Sequence, residues 1–250
     1  MARRPRQRSV NGIYHIMLRG INRQVIFEDD EDKYKFLEVL KRFKEHYQLF
    51  SYCLMDNHVH LLVKETDESI SEIIKRICAS YVYWYNSKYE RCGHLFQDRF
   101  KSEVIESLAS FLKVIRYIHQ NPMKAGLASN IFENKWSSIH EYTNPGFLID
   151  TEVVLHQFSA DRNEALQMFL QFMQETNDDE CLDDFSTVRK TDSEALEQLK
   201  EMGITNIAML QQMEKEERNR ILAKLKGLEG ISARQIARIT GISRSVIRRI

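Results

Sequence analysis

Proline is scarce: Pro5, Pro122 and Pro145 are the only three in 250 residues, so no proline-rich linker is expected. The four cysteines, Cys53, Cys78, Cys92 and Cys181, form no CxxC pair. A zinc ribbon and a thioredoxin-type site are therefore unsupported, and scattered single cysteines fit a reducing cytoplasm. No apolar run approaches the ~18 residues of a membrane span. No hydrophobic signal core follows the charged first residues, so secretion is not expected. No GxxxxGK[ST] phosphate loop occurs, which leaves loop-based nucleotide hydrolysis without support. Net charge is also lacking, because 36 basic residues meet 36 acidic ones.

That zero conceals a distribution. Residues 1–8 carry four arginines, Arg3, Arg4, Arg6 and Arg8. Residues 231–250 carry five arginines and no acid, whereas residues 175–184 carry six acids and no base. A polyanion meets local charge rather than the sum, so basic ends around an acidic stretch keep a nucleic-acid partner open.

Apolar residues make up 43% and charged residues 29%, an ordinary globular composition for one large domain or two small ones. Residues 14–19 read as a strand ended by Gly20. Residues 29–47 have acids at the start and then helical apolar spacing. Residues 49–55 and 58–64 are β-rich runs around Asp56-Asn57, the pattern of a hairpin. Residues 69–88 read as a second long helix, with Ser69 as N-cap and Glu72 three residues on. Residues 99–105 read as a strand, and residues 108–121 as a helix stopped by Pro122. The first six elements, β-α-β-β-α-β, match a ferredoxin-like antiparallel sheet with helices on one face, an α+β fold. From about residue 145 the pattern turns all-α. The expected organisation is a domain over 1–145, a helical and acidic connector over 146–192, and a helical module over 193–250.

Within the second strand of the hairpin, Asn57-His58-Val59-His60 places two imidazoles two residues apart, hence on one face. They are either two surface histidines or one side of a divalent-cation site. On the helix 108–121, Leu108, Phe111, Leu112 and Ile115 form one stripe, while Tyr117 and Asn121 align on the other side, one turn apart. Tyr117 is either an interface tyrosine or a phenol held over a metal site with the Asn121 amide as a further ligand. Tyr81, Tyr83, Trp84, Tyr85 and Tyr89 crowd the second long helix, for core packing or for stacking on unpaired bases. Arg91, His94, Arg99 and Lys101 follow as candidate contacts for a DNA backbone.

Taken together, YCLMDNHVHLLV, GHLFQDRFKS, RYIHQNPMKAGL and WSSIHEY resemble the HUH single-tyrosine transposases, in the branch of REP-associated tyrosine transposases, over about residues 14–142. The resemblance implies that His58, His60 and Asn121 hold a divalent metal, Mg²⁺ or Mn²⁺, and that Tyr117 is the nucleophile. It implies cleavage and rejoining of single-stranded DNA at hairpin-forming ends through a 5′-phosphotyrosine, in a bacterial cytoplasm close to the nucleoid. A former transposase kept as a non-catalytic DNA-binding regulator is the rival reading, and a water-using phosphodiesterase a third. A homodimer with shared sites stays open.

At the basic C-terminal end, Ser232 precedes a helix over 233–239, Gly241-Ile242-Ser243 forms a turn, and 244–250 begins another helix. This resembles the helix-turn-helix of bacterial replication initiators and many regulators. Arg244, Ser245, Arg248 and Arg249 would lie on its recognition helix and contact duplex DNA.

Overall fold

The structure, a computed structural model, describes residues 6–144, 146, 148–176, 181, 191–228 and 231–250. Its contacts divide the chain into two compact units, residues 1–183 and 184–250.

The first unit begins with β1 (Ile13–Arg19), α1 (Asp30–Arg42), β2 (Tyr47–Met55), β3 (His58–Glu65), α2 (Ile70–Lys88), β4 (Lys101–Val104) and α3 (Leu108–Lys124). The sheet order is β2-β3-β1-β4, and every neighbouring pair is antiparallel. This is the ferredoxin-like sheet that the order of elements leads one to expect. Because β1 and β2 both oppose β3, they run parallel, joined by a crossover through α1.

Local chemistry sets the element ends. Asp29 caps α1 in a reciprocal box with Asp32, and Ser69 caps α2 by accepting from Glu72 N. Asp32 is fully buried, yet its carboxylate accepts from Glu28 N, Tyr89 Oη and Lys88 Nζ, so the end of α2 is tied to the start of α1. α1 stops sooner than the sequence pattern suggests, because β2 already starts at Tyr47, whose buried ring donates its hydroxyl to Leu40 O at 2.8 Å.

Both faces of the sheet are buried. Ile16, Leu18, Val59 and Leu61 fill one face, while His15, Met17, His60 and Leu62 on the other are equally enclosed. α3 packs on the face that carries the histidines. α3 is also covered from outside: α5 (Thr151–Leu155) and α6 (Arg162–Gln174) follow the short α4 (Ile139–Thr143), and Gln120 Nε2 donates to Met173 O at 2.8 Å. Residues 151–174, read in the sequence as part of a connector, thus pack into the core of the first unit through Val154, Leu155, Phe169 and Met173. The acidic stretch 175–184 lies largely outside the described residues.

Two expectations for α3 need correction. The helix does not stop at Pro122 but runs through it to Lys124, with Ala125 N donating to Asn121 O at 3.0 Å. Proline removes one helical donor, and packing on both sides outweighs that deficit. Nor is Leu108 part of the core stripe, since it is exposed, whereas Val114, Tyr117, Ile118 and His119 are buried.

The second unit holds α7 (Asp192–Glu201), α8 (Ile207–Gln212), α9 (Lys215–Gly227), α10 (Ala233–Thr240) and α11 (Arg244–Arg249). Leu199, Leu210, Leu222, Leu225, Ile236 and Ile247 form its core. Ser232 caps α10 by accepting from Gln235 N. α10 ends on Gly241 at φ +70°, the left-handed cap that glycine tolerates best.

Candidate active site

His58 opens β3, and His60 follows on the same face, with ring centroids 5.0 Å apart. His58 Nδ1 lies 2.6 Å from Asn57 Oδ1. An amide oxygen only accepts, so Nδ1 carries the proton, and in the neutral ring the lone pair falls to Nε2. His60 is fully buried, and its Nδ1 lies 3.0 Å from Nε2 of His15 on β1. Burial, with His15 and His58 nearby, holds the His60 pKa well below the usual histidine value, so the ring is neutral. Among the described residues, His60 Nε2 is a buried nitrogen with no hydrogen-bond partner.

Tyr117 reaches this group from α3. Its ring centroid is 5.7 Å from that of His60 and 5.8 Å from that of His15, both edge-on. Tyr117 is 2% exposed, so a substrate reaches its hydroxyl only after side chains over it rearrange. Asn121, one turn later on α3, is also buried. Lys124 brings its ammonium 5.1 Å from the Tyr117 ring centroid. The fold therefore gathers His58, His60 and Tyr117, with Asn121 on the same helix as Tyr117. It adds His15 and Lys124, which sequence reasoning missed. The available signal for His15 was a lone imidazole in an otherwise apolar strand of a sheet whose order places that strand beside β3.

Among the described residues, no group of three or more His, Cys, Asp or Glu side chains is arranged to hold a metal ion. The candidate donor set is two imidazoles and an amide. It fits a divalent cation in its chemistry: His58 Nδ1 is engaged by the Asn57 amide oxygen, which leaves Nε2 as the nitrogen to offer, and the buried His60 Nε2 has no hydrogen-bond partner among the described residues.

His119, close to Tyr117 in sequence, is directed elsewhere. Tyr52 N donates to Ser138 Oγ, whose hydroxyl faces His119 Nε2 at 2.8 Å. His119 Nδ1 lies 3.3 Å from Met173 Sδ. Burial pushes its pKa down to about 3. His119 is thus a core residue of the first unit rather than a partner for the phenol.

The basic candidates fall in two places. Arg6 stacks on Phe100, with its guanidinium 3.5 Å from the ring centroid, and shares a shallow groove with Asp98, Arg99, Lys101 and Ser102. Arg8 is exposed, and Arg3 and Arg4 lie outside the described residues. In the second unit, Arg244, Ser245, Arg248 and Arg249 are exposed on α11, which Ile247 anchors. Of the α2 aromatics, Tyr81 and Tyr85 are core residues while Tyr83 is exposed. No helix among the described residues is long and apolar enough to cross a membrane.

Residues 8–121 match the family of IS200-like transposases. A REP-associated tyrosine transposase bound to a REP hairpin has a similar structure, with a TM-score of 0.50 at 17% identity, covering 60% of this chain and 94% of that one. A putative transposase from Deinococcus radiodurans R1 aligns at a TM-score of 0.34 and 16% identity, over 48% of this chain and 97% of that one. Among curated proteins nothing matches this chain. The similarity to IS200-like transposases thus spans residues 8–121, within the first unit.

Proposed function

We propose that this chain cleaves and rejoins single-stranded DNA at hairpin-forming ends, with Tyr117 as nucleophile. The observation that carries this reading is the meeting of Tyr117 with a buried, neutral His60 whose Nε2 has no hydrogen-bond partner among the described residues. A phenol has a pKa near ~10 and attacks an anionic phosphodiester poorly unaided.

In the proposed step the Tyr117 oxygen attacks phosphorus and the bond to the leaving 3′ oxygen breaks. The phenol loses its proton, the leaving oxygen ends as a 3′-hydroxyl, and the 5′ side is left esterified to Tyr117. Attack by a 3′-hydroxyl on that ester reverses the step and rejoins a strand. One phosphodiester is exchanged for another, so no nucleotide hydrolysis is needed. His58, His60 and Asn121 would hold Mg²⁺ or Mn²⁺. The bound cation would supply Lewis-acid polarisation of the phosphate. Lys124 brings a positive charge beside the nucleophile.

Hairpin DNA as partner is supported by the fold shared with a transposase bound to a REP hairpin. The groove of Arg6, Arg99 and Lys101 would contact its phosphates, and Arg3, Arg4 and Arg8 near the N-terminus would add to that charge. In the second unit, α10, the Gly241 turn and α11 are read as a helix-turn-helix. Its Arg244, Ser245, Arg248 and Arg249 would meet duplex DNA.

The test is a covalent adduct on a denaturing gel, formed from labelled hairpin single-stranded DNA with Mn²⁺. An adduct with the wild-type chain that disappears in Tyr117→Phe and with EDTA supports the reading. Tight DNA binding by both proteins without any adduct replaces it with the non-catalytic regulator. Cleavage without an adduct points to a water-using nuclease.

A further inference from the structure

We infer that His15 is a positioning residue that holds His60 in the one tautomer whose Nε2 lone pair is available to a cation, with Glu103 orienting His15 in turn. The inference rests on the metal role of His60 proposed above.

Strand register builds this arrangement. β1 lies between β3 and β4, and His15 stands directly opposite Glu103 on β4 and Leu62 on β3. Residue 17 of β1 is opposite His60, so His15 is its diagonal neighbour on the same face. The two rings stand 5.2 Å apart, tilted by 33°, with His15 Nε2 3.0 Å from His60 Nδ1. Glu103 places Oε2 3.6 Å from His15 Nδ1. The His15 side chain is completely buried, while the Glu103 carboxylate is partly open to solvent.

A nitrogen–nitrogen contact of that length between neutral rings needs one N–H and one lone pair, so only two arrangements exist. If His15 Nε2 carried the proton, its Nδ1 lone pair would face the Glu103 carboxylate. His60 Nε2 would then carry a buried N–H with no acceptor among the described residues. The first feature decides, because a ring lone pair turned towards a carboxylate is repelled by it. With the protons reversed, His15 Nδ1–H faces the carboxylate at 3.6 Å, an electrostatic attraction longer than a hydrogen bond, and His60 Nδ1–H donates to His15 Nε2. His60 Nε2 is left as a lone pair. The second arrangement wins, and the buried lone pair is the feature that a cation satisfies. Histidine ligands elsewhere are commonly oriented by a partner on their other ring nitrogen. Here that partner is a second histidine, itself set by a carboxylate one strand further out.

The experiment compares His15→Gln with His15→Asn in the full chain. From the Cβ, a glutamine amide reaches as far as Nε2 of histidine and can accept from His60 Nδ1–H, whereas an asparagine amide stops one bond short. Mn²⁺ alone is titrated by calorimetry, with His60→Ala as control and thermal melts to check folding. Wild type and His15→Gln should bind within about 3-fold of each other, and His15→Asn ~10–100-fold more weakly at an unchanged melting temperature. Nitrogen-resolved NMR of the metal-free wild type should show His60 protonated on Nδ1, a readout that needs no substitution if His15 variants fail to fold.

Equal binding by His15→Asn and wild type, with binding abolished in His60→Ala, overturns the inference and leaves the metal reading standing. A His60 proton found on Nε2 overturns it as well. A wild-type chain that takes up no Mn²⁺ overturns both.

Discussion

His60 and Tyr117 stand with ring centroids 5.7 Å apart at an interplanar angle of 79°, one from the hairpin strand β3 and the other from α3. The two have separable tasks in the proposed reaction. Tyr117→Phe keeps the ring and its packing and removes only the hydroxyl. It should leave Mn²⁺ affinity within about 3-fold of wild type and abolish the DNA adduct, while His60→Ala should lose both. Calorimetry and a denaturing gel on the same preparations check this pair.

His119 makes the first unit acid-sensitive. Its folded pKa is about 3, against ~6.5 in an unfolded chain. The unfolded state therefore binds more protons between these values. The contribution of neutral His119 is complete above pH ~6.5 and is lost as pH falls towards 3, by at most ~1.4 kcal/mol per pH unit. Urea midpoints followed by tryptophan fluorescence read this unit, because both tryptophans, Trp84 and Trp136, lie in it. His119→Gln should be less stable at neutral pH by ~1–3 kcal/mol and show a flatter decline between pH 6 and 4.

Gly241 carries the turn between α10 and α11. Its φ is +70°, and an added Cβ would lie 2.8 Å from Gln211 Nε2, which donates to Thr240 O. Gly241→Val should destabilise the second unit by ~1–3 kcal/mol, through the left-handed backbone and the displaced glutamine. Far-UV circular dichroism should show a helical melt at lower temperature, with the tryptophan signal of the first unit unshifted.

The two basic groups should separate by substrate. Replacing Arg99 and Lys101 by alanine should weaken hairpin DNA binding and lower the salt dependence of log K by ~0.7–0.9 for each phosphate no longer neutralised. Replacing Arg244, Arg248 and Arg249 should do the same for duplex DNA and leave the hairpin affinity within about 2-fold. Titrations of both probes across a salt series test this. An unchanged slope in either case removes that group from the DNA interface.

Much of the first unit is legible along the chain because its signals are local. The alternation in β3, the Asp56-Asn57 turn and the Asp29 and Ser69 caps depend on residues within a few positions of each other. For the same reason His58 and His60 could be placed side by side, since strand geometry alone puts residues i and i+2 on one face. Similarly, Ser232 and Gly241 bounded α10 by capping chemistry confined to its ends.

Tertiary structure decided what depends on neighbours distant in sequence. α3 looked one-sided, but Tyr117 packs on the sheet histidines while α6 covers His119 and Gln120 through Met173, so both sides are buried while Leu108 is exposed. That double packing also carries the helix through Pro122, where a local rule would end it. His119 sits two residues from Tyr117 yet turns to Ser138 and Met173, because side chains at that spacing on a helix point to different neighbours. His15 meets His60 and Glu103 only once β1 is laid between β3 and β4 in this register. The sequence by itself thus determined which residues could do the chemistry and the short-range geometry that pairs them. The fold determined which are enclosed and which side chains meet, because burial and strand register are properties of the whole sheet.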